Sequence, residues 1–463
     1  MKDKKSTGKR TRRSRPLLKR INLNAAGIDC GSAMHYVAVP PDRDPEPVRS
    51  FKTFTSELHR LADWLVACGV NTVAMEATGV YWIPIYEILE ARGLEVLLVN
   101  ARHVKNVPGR KSDVTDCEWL QELHSVGLLR GSFRPVAEIA TLRSYLRHRE
   151  TLIQSAATTI NRMQKALVQM NLQLHVVISD ITGTTGLRIL RDIVNGQTDP
   201  QHLALHRDAR CQASQAEIAA ALTGHYRPEH LFVLTQNLEL YDAFHRQIES
   251  CDIQIEGHLR TLAASADTPL APLPAARSRQ KARGHEPRFD VRTPLHQLSG
   301  ADLSQLDGIG PYNALRLICE IGTDMSRWPS ERHFTSWLTL APDNKVSGGR
   351  LLSSRTPPSA NRAAAVLRMA AVSLGRTQTA LGAFYRRLAY RIGKAKAITA
   401  TARKLAILVY RTLKGDLVYQ DPGAATYDLR HRESLVRRLR QRAGALGFNL
   451  VNGQTGEILD GVS

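Results

Sequence analysis

Apolar and polar positions along the chain keep three different rhythms. From Ile21 the period is mostly that of strands. Ala26 to Asp29 reads as a strand, and Tyr36 to Val39 as its hairpin partner after the turn at Gly31 and Ser32. Residues 40 to 50 are a Pro- and Asp-rich loop, followed by a third strand at Phe51 to Phe54. Glu57 to Cys68 is an amphipathic helix with Leu58, Leu61, Leu65 and Val66 on its apolar side. Thr72 to Met75 is a short β-prone run that delivers Glu76 at its end. Tyr86 to Ala91 is helical and stopped by Gly93, and Leu94 to Val99 is a near-continuous buried strand.

Three strands in a meander, a helix, then alternating strand and helix is the element order of the RNase H-like, or RuvC-like, α/β fold. This domain is expected over residues 21 to 137. From Leu142 the rhythm changes to heptads. Leu142, Leu146, Ile153, Ala156, Ile160, Met163, Leu167, Met170 and Leu174 alternate at spacings of three and four, with Arg149 the exception. Leu231, Leu234, Leu238, Tyr241, Ile248, Ile255 and Leu259 repeat it more loosely. Two long helices across 138 to 263 pair most simply as an antiparallel coiled coil, and a dimer seam is the alternative. Shorter helices fill 176 to 226, with a loop at Ser179 to Thr185.

Residues 264 to 300 are rich in Pro, Ala and Arg and read as a mobile basic linker. A mostly helical region follows over 301 to 419, with helices at Tyr312 to Ile321, 363 to 374 and 380 to 413. The end, 420 to 463, carries a basic helix around Arg430 to Arg442 and then a polar tail.

Charge narrows the possible partners. The 463 residues, 43% hydrophobic and 23% charged, suffice for two or three folded domains. A formal net charge of +20 favours a polyanion, and nucleic acid fits better than a membrane surface. Residues 1 to 20 hold ten Lys or Arg against one acid, which reads as a disordered basic arm gripping phosphates. Six scattered cysteines without a CxxC pair argue against a zinc ribbon and a disulfide framework, and suit a reducing cytoplasm. No apolar run is long enough to span a bilayer, and the basic N-terminus lacks a signal peptide's apolar segment.

The chemistry gathers in three places. Asp113 and Asp116 are three apart at the opening of a helix, preceded by Arg102, Lys105, Arg110 and Lys111. Asp29 ends the first strand and Glu76 the fourth, and these strand ends are neighbours in an RNase H-like sheet. Four acids so arranged can hold one or two Mg²⁺ ions for phosphoryl transfer. The four cations mark a track for a nucleic-acid backbone. Second, Gly308-Ile309-Gly310 before a helix resembles the hairpin of helix-hairpin-helix elements, whose free backbone N–H groups grip phosphates. Third, Ser347 before Gly348 and Gly349 has an exposed hydroxyl, with Arg350 and Arg355 able to hold a phosphate against it. Ser353 and Ser354 are rivals for that role.

Together these strings resemble the DEDD transposases, or recombinases, of the insertion-sequence one-ten type, most closely their eleven-eleven branch. The strings are GIDCG, MEATGVYW, VNARHVKNVPGRKSDVTDCEWL, LDGIGPYNALRLICEIG and WLTLAPDNKVSGG, spread over residues 24 to 175 and 300 to 415. The resemblance implies that Asp29, Glu76, Asp113 and Asp116 are the acidic tetrad binding Mg²⁺, and that Ser347 is a serine nucleophile. It implies a composite active site with the tetrad of another subunit, in a homo-oligomer that is a dimer or tetramer. It also implies donor and target DNA as substrates, with an element-encoded non-coding RNA as guide. After the serine loop the usual Lys-x-Gly-Asn type turn is replaced by Thr356 to Asn361, where Arg355 and Asn361 survive as backbone contacts. A RuvC-type resolvase using activated water, or a silent nucleic-acid-binding protein, are the alternatives.

Overall fold

The computed structural model describes residues 19–77, 79–100, 113–265, 272–277, 284–454, 456 and 458–459. The chain divides into two compact units, Met1–Arg134 and Pro135–Ser463. The first is a mixed α/β sheet with helices. The second is almost wholly helical.

In the first unit β1 (Ala25–Cys30), β2 (Met34–Ala38) and β3 (Val48–Lys52) form an antiparallel meander. Helix α1 (Thr55–Ala67), β4 (Thr72–Glu76), α2 (Trp82–Ala91), β5 (Glu95–Val99) and α3 (Asp113–Ser125) follow. The sheet order is β3-β2-β1-β4-β5, with β4 parallel to both β1 and β5. Alternation along the strands sends side chains to two faces. Ala26, Ile28, Cys30, Val73 and Met75 meet Leu58, Leu61 and Leu65 of α1 and Ile85 and Leu89 of α2. Ala74 and Val99 meet Leu120 of α3 on the other face.

Three details depart from the sequence expectation. The third strand is Val48–Lys52 rather than Phe51 to Phe54, because pairing with β2 from Met34↔Lys52 to Ala38↔Val48 fixes its span. In α1 Val66 is 50% exposed and Ala62 is buried, since the buried arc runs through Leu58, Leu61, Ala62 and Leu65. Strand β5 lies at the sheet edge, so Glu95 is exposed and Val96 and Leu97 only half-buried.

The second unit is built on two long helices, α4 (Ala137–Gln169) and, after the short helices α5 (Leu174–Val177), α6 (Thr184–Val194), α7 (Pro200–Ala204) and α8 (Gln215–Ala221), α9 (Pro228–Ala264). They pack antiparallel within one chain: His258 Nε2 lies 2.9 Å from the Glu138 carbonyl oxygen, while Arg149 binds Asp252. Met163 and Leu167 of α4, Ile189 and Ile193 of α6, and Leu234 and Leu238 of α9 share a core at one end. The heptads stop short of Leu174, which opens α5 after Asn171 takes a positive φ of 57°.

Beyond α9 come α10 (Arg292–Ser299), a 3₁₀ turn at Leu303–Gln305, α11 (Pro311–Ile321), α12 (Glu331–Trp337), and the strands β6 (Lys345–Ser347) and β7 (Arg350–Ser353). Helices α13 (Arg362–Leu374), α14 (Ala380–Ile392), α15 (Lys394–Leu413) and α16 (Gly423–Ala445) follow, then a two-residue hairpin of β8 (Leu450–Val451) and β9 (Ile458–Leu459). The stretch expected as a mobile linker over 264 to 300 is docked in part. Arg277 binds Asp307 at 2.6 Å, and Arg292 binds Asp302 and the Pro274 carbonyl, so its basic residues serve as internal partners for buried acids. The helix expected over 380 to 413 is broken at Gly393, whose φ of 86° no helix interior accommodates.

Candidate active site

Asp29 is the fifth residue of β1 and Glu76 the last of β4, and the two strands run parallel as neighbours with Ile28 opposite Met75. One step further along the same register sets Asp29 beside Glu76. Both follow the alternation of Gly27 and Ala74, so both lie on the face that α3 covers. The carboxyl ends of parallel strands, where backbone pairing stops, are where open α/β sheets take ligands.

The direction of α3 follows from its contacts. Gln121 Nε2 donates to the Ala25 carbonyl at 3.2 Å, His124 Nε2 lies 2.9 Å from Thr72 Oγ1, and the Ile21 N–H donates to the Ser125 carbonyl at 2.7 Å. A Cβ on Gly27 would stand 2.4 Å from the carbonyl oxygen of Cys117 and from the amide nitrogen of Gln121. From Cys117 to Ser125 the helix therefore runs back along β1 towards its start. Its first turn, with Asp113 and Asp116, lies at the end of the sheet where Asp29 and Glu76 sit. Asp116 is exposed, while Asp29 and Glu76 are half-buried. Among the described residues no three acids, cysteines or histidines stand close enough to hold a metal ion. The side chain of Asp113 and all of Arg102, Lys105, Arg110 and Lys111 lie outside the described residues.

The field of these carboxylates registers on two thiols. Burial pushes the Cys30 thiol up, and Asp29 and Glu76 push it further. Cys117 is pushed up to about 12, by burial first, then by Glu118, with Asp29 adding to it. Both cysteines thus stay protonated beside the acids and serve as packing residues. Tyr36 stands opposite Asp29 across the β1–β2 ladder, half-buried on the same face. Sequence reasoning passed over it, although counting back from the hairpin turn would have found the pair.

In the second unit Ser347 and Arg350 face each other across the tip of the β6–β7 hairpin, and Gly348 and Gly349 make its two-residue turn. Their φ values of 54° and 75° are the left-handed pair that such a turn demands, which explains the Gly-Gly. Ser347, Arg350, Ser354 and Arg355 are all exposed. Ser353 is half-buried, and its Oγ accepts the Arg355 N–H at 3.3 Å. Asn361 has a structural role as well. Its side-chain oxygen accepts the Ala364 N–H at 3.0 Å and caps α13.

The Gly308-Ile309-Gly310 turn leads into α11, with Pro311 in its first turn. Gly308 has a φ of 79°, and a Cβ there would approach the Ala370 carbonyl oxygen to 3.1 Å. The turn is less open than expected, because the Ile309 N–H already donates to the Leu306 carbonyl at 3.1 Å. Beside it lies a cavity lined by Arg277, Gly308, Gly310, Asn313, Ser373 and Arg376. Asp307, which also lines it, is largely buried, bonded by Arg277 and by the Tyr419 hydroxyl at 2.7 Å, and burial raises its carboxyl above the usual range.

Residues 26–172 match the model of the IS110-type DEDD transposase family, and residues 300–386 match that of the IS116/IS110/IS902 transposase family. Together the two matches take in just over half of the chain. No curated protein matches it.

Proposed function

Because the chain belongs to the IS110 family of DEDD transposases, and is a DNA transposase, we propose that it cuts and rejoins DNA through a phosphoserine link on Ser347, assisted by a RuvC-like carboxylate site. The observation that carries this reading is the convergence of Asp29 and Glu76 at adjacent parallel strand ends, beneath the first turn of α3. Asp113 and Asp116 belong to that turn. These four would hold a divalent cation. A donor set of carboxylates alone suits a hard ion such as Mg²⁺, which when bound supplies charge stabilisation at the scissile phosphate.

The protein's own part is as follows. Ser347 Oγ forms a bond to phosphorus and gives its proton to solvent, while the P–O3′ bond breaks and the departing 3′ oxygen takes up a proton. The phosphoserine ester conserves the phosphodiester for rejoining. The 3′ hydroxyl of the partner strand then attacks phosphorus, loses its proton, and releases Ser347 to be reprotonated. Arg350, across the hairpin from Ser347, and Arg355 hold the phosphate oxygens. Ser347 is favoured over Ser353, whose oxygen is engaged, and over Ser354, which follows the end of β7 at the open end of the hairpin, away from its tip.

The Gly308–Gly310 turn, with Arg376 near it, acts as a helix-hairpin-helix contact to DNA phosphates. An element-encoded RNA guides the choice of donor and target, the working form is a homo-oligomer, and the setting is the bacterial cytoplasm. Among the described residues no helix is long and apolar enough to cross a membrane.

Labelled donor DNA incubated with the full chain and Mg²⁺ tests the mechanism on a denaturing gel. A protein–DNA adduct is expected, absent in Ser347→Ala and retained in Ser353→Ala and Ser354→Ala. Strand cleavage without an adduct would instead establish a metal-activated water mechanism of the resolvase kind. Sequencing the RNA that co-purifies tests the guide, and a defined species encoded beside the reading frame is the expected result.

A further inference from the structure

Helix α16 lies beyond both family matches and buries none of its residues, though it runs from Gly423 to Ala445. One side of it is occupied. Tyr427 makes an edge contact with Phe384 of α14, and the Arg387 guanidinium lies 3.2 Å from His431 Nε2. The opposite side carries a second heptad pattern. Leu429, Val436 and Ala443 recur every seven residues, and Arg432, Leu439 and Leu446 fill the alternate positions. At 100° per residue His431 is about 200° round from Leu429, so this seam faces away from α14. Leu429 is 58% exposed, Leu439 47% and Leu446 70%. Val436 and Ala443 between them are half-buried, and a seam with this much exposed apolar surface marks an interaction surface.

We propose that α16 pairs antiparallel with the α16 of a second copy of this chain. The antiparallel register that pairs all six seam positions has its two-fold axis between residues 437 and 438. Leu429 then packs on the partner's Leu446, and Val436 packs on the partner's Leu439. The long Arg432 falls opposite the partner's Ala443, the one small residue of the seam. Each layer occurs twice, as an isologous contact requires. The flanking charges fit the same register, since Glu433 comes beside the partner's Arg440 and Arg440 beside the partner's Glu433.

Among the described residues neither takes part in an ion pair within its own chain. Among the described residues Arg440 Nε finds no hydrogen-bond partner, and it is shielded from solvent. Such a donor is costly unless an acceptor arrives, and a carboxylate of a second copy supplies one. A parallel pairing sets Arg432 against the partner's Arg432 and leaves both Arg440 side chains without an acid, so repulsion disfavours it.

Disulfide trapping in the full-length protein tests the pairing. Chains carrying Val436→Cys are mixed with chains carrying Leu439→Cys, oxidised, and run on a non-reducing gel against each variant alone. The native cysteines are buried or half-buried, and the unsubstituted chain gives their background. The antiparallel register predicts a cross-linked pair most abundant in the mixture. Adding Glu433→Arg to both chains lowers the yield by about fivefold, the scale of two exposed ion pairs lost together. Combining Glu433→Arg with Arg440→Glu restores it. A mixture that cross-links no more than the single variants overturns the proposal, as does stronger trapping of Val436→Cys with itself. Indifference to both charge reversals also overturns it. Circular dichroism and the melting temperature of each variant check that the overall fold is kept.

Discussion

Arg149 occupies a seam position between α4 and α9 where an apolar side chain is the ordinary choice. Its side chain is only 2% exposed, and four oxygens surround the guanidinium. Asp252 binds it through both carboxylate oxygens at 2.6 and 3.2 Å, the His285 carbonyl at 2.8 Å and the Tyr312 hydroxyl at 3.3 Å. The contact joins α4 to α9 and to α11, next to the ion pairs of Arg147 with Glu320 and of Glu150 with Arg316 and Arg362. Arg149→Met leaves the Asp252 charge unpartnered, and a loss of about 3–5 kcal/mol is expected. Arg149→Met combined with Asp252→Leu should recover most of that, because a well-packed apolar pair replaces a buried ion pair at little cost. Chemical denaturation of the two variants measures both. The exception to the heptads was visible in the sequence, but its meaning was not. A charged residue in a seam announces a buried partner, yet Asp252 is 103 residues away and nothing local points to it.

At the scale of elements, the contact that orders the carboxylate site is α3 lying directly on β1. Gly27 permits it, since any Cβ there would meet the backbone of Cys117 and Gln121 at 2.4 Å, and backbone cannot swing aside. Gly27→Ala should lift α3 from the sheet, lower stability by about 1–3 kcal/mol, and reduce adduct formation more than the stability loss explains, because Asp116 moves with the helix. Gly257→Ala is the control. Among the described residues nothing lies within 4 Å of its Cβ position in α9, so it should stabilise by up to about 1 kcal/mol and leave adduct formation unchanged. Thermal melts read beside adduct yield separate the two effects. The strand order and the pairing of Asp29 with Glu76 were legible because buried parallel strands have a strong period and few topologies. The closeness of α3 was not, since a glycine in a strand signals a close approach without naming what approaches. Strand β3 and the docked half of the expected linker were misjudged for a related reason. Both are held by partners distant in sequence, β2 and the acids Asp302 and Asp307.

For the whole molecule, the carboxylates stand in the first unit and Ser347 in the second, more than 200 residues later. Neither unit alone carries both halves of the chemistry proposed for it. The serine of one copy must therefore act with the carboxylates of its own chain or with those of a neighbour, and mixing inactive variants separates the two. Asp29→Ala removes one half and Ser347→Ala the other. Combined in equal amounts and allowed to exchange subunits, half of the dimeric pairings contain one chain of each kind. If serine and carboxylates meet between copies, one of the two sites in each mixed pair is intact, so adduct formation should return to about a quarter of the wild-type level. If they meet within one chain, every site lacks a partner and no adduct returns. We expect the quarter. Subunit exchange is verified by the trapped α16 cross-link between differently tagged chains. The same mixture thus reports whether copies associate and whether that association completes the active site, and an exchanged mixture that stays silent rules out the composite arrangement.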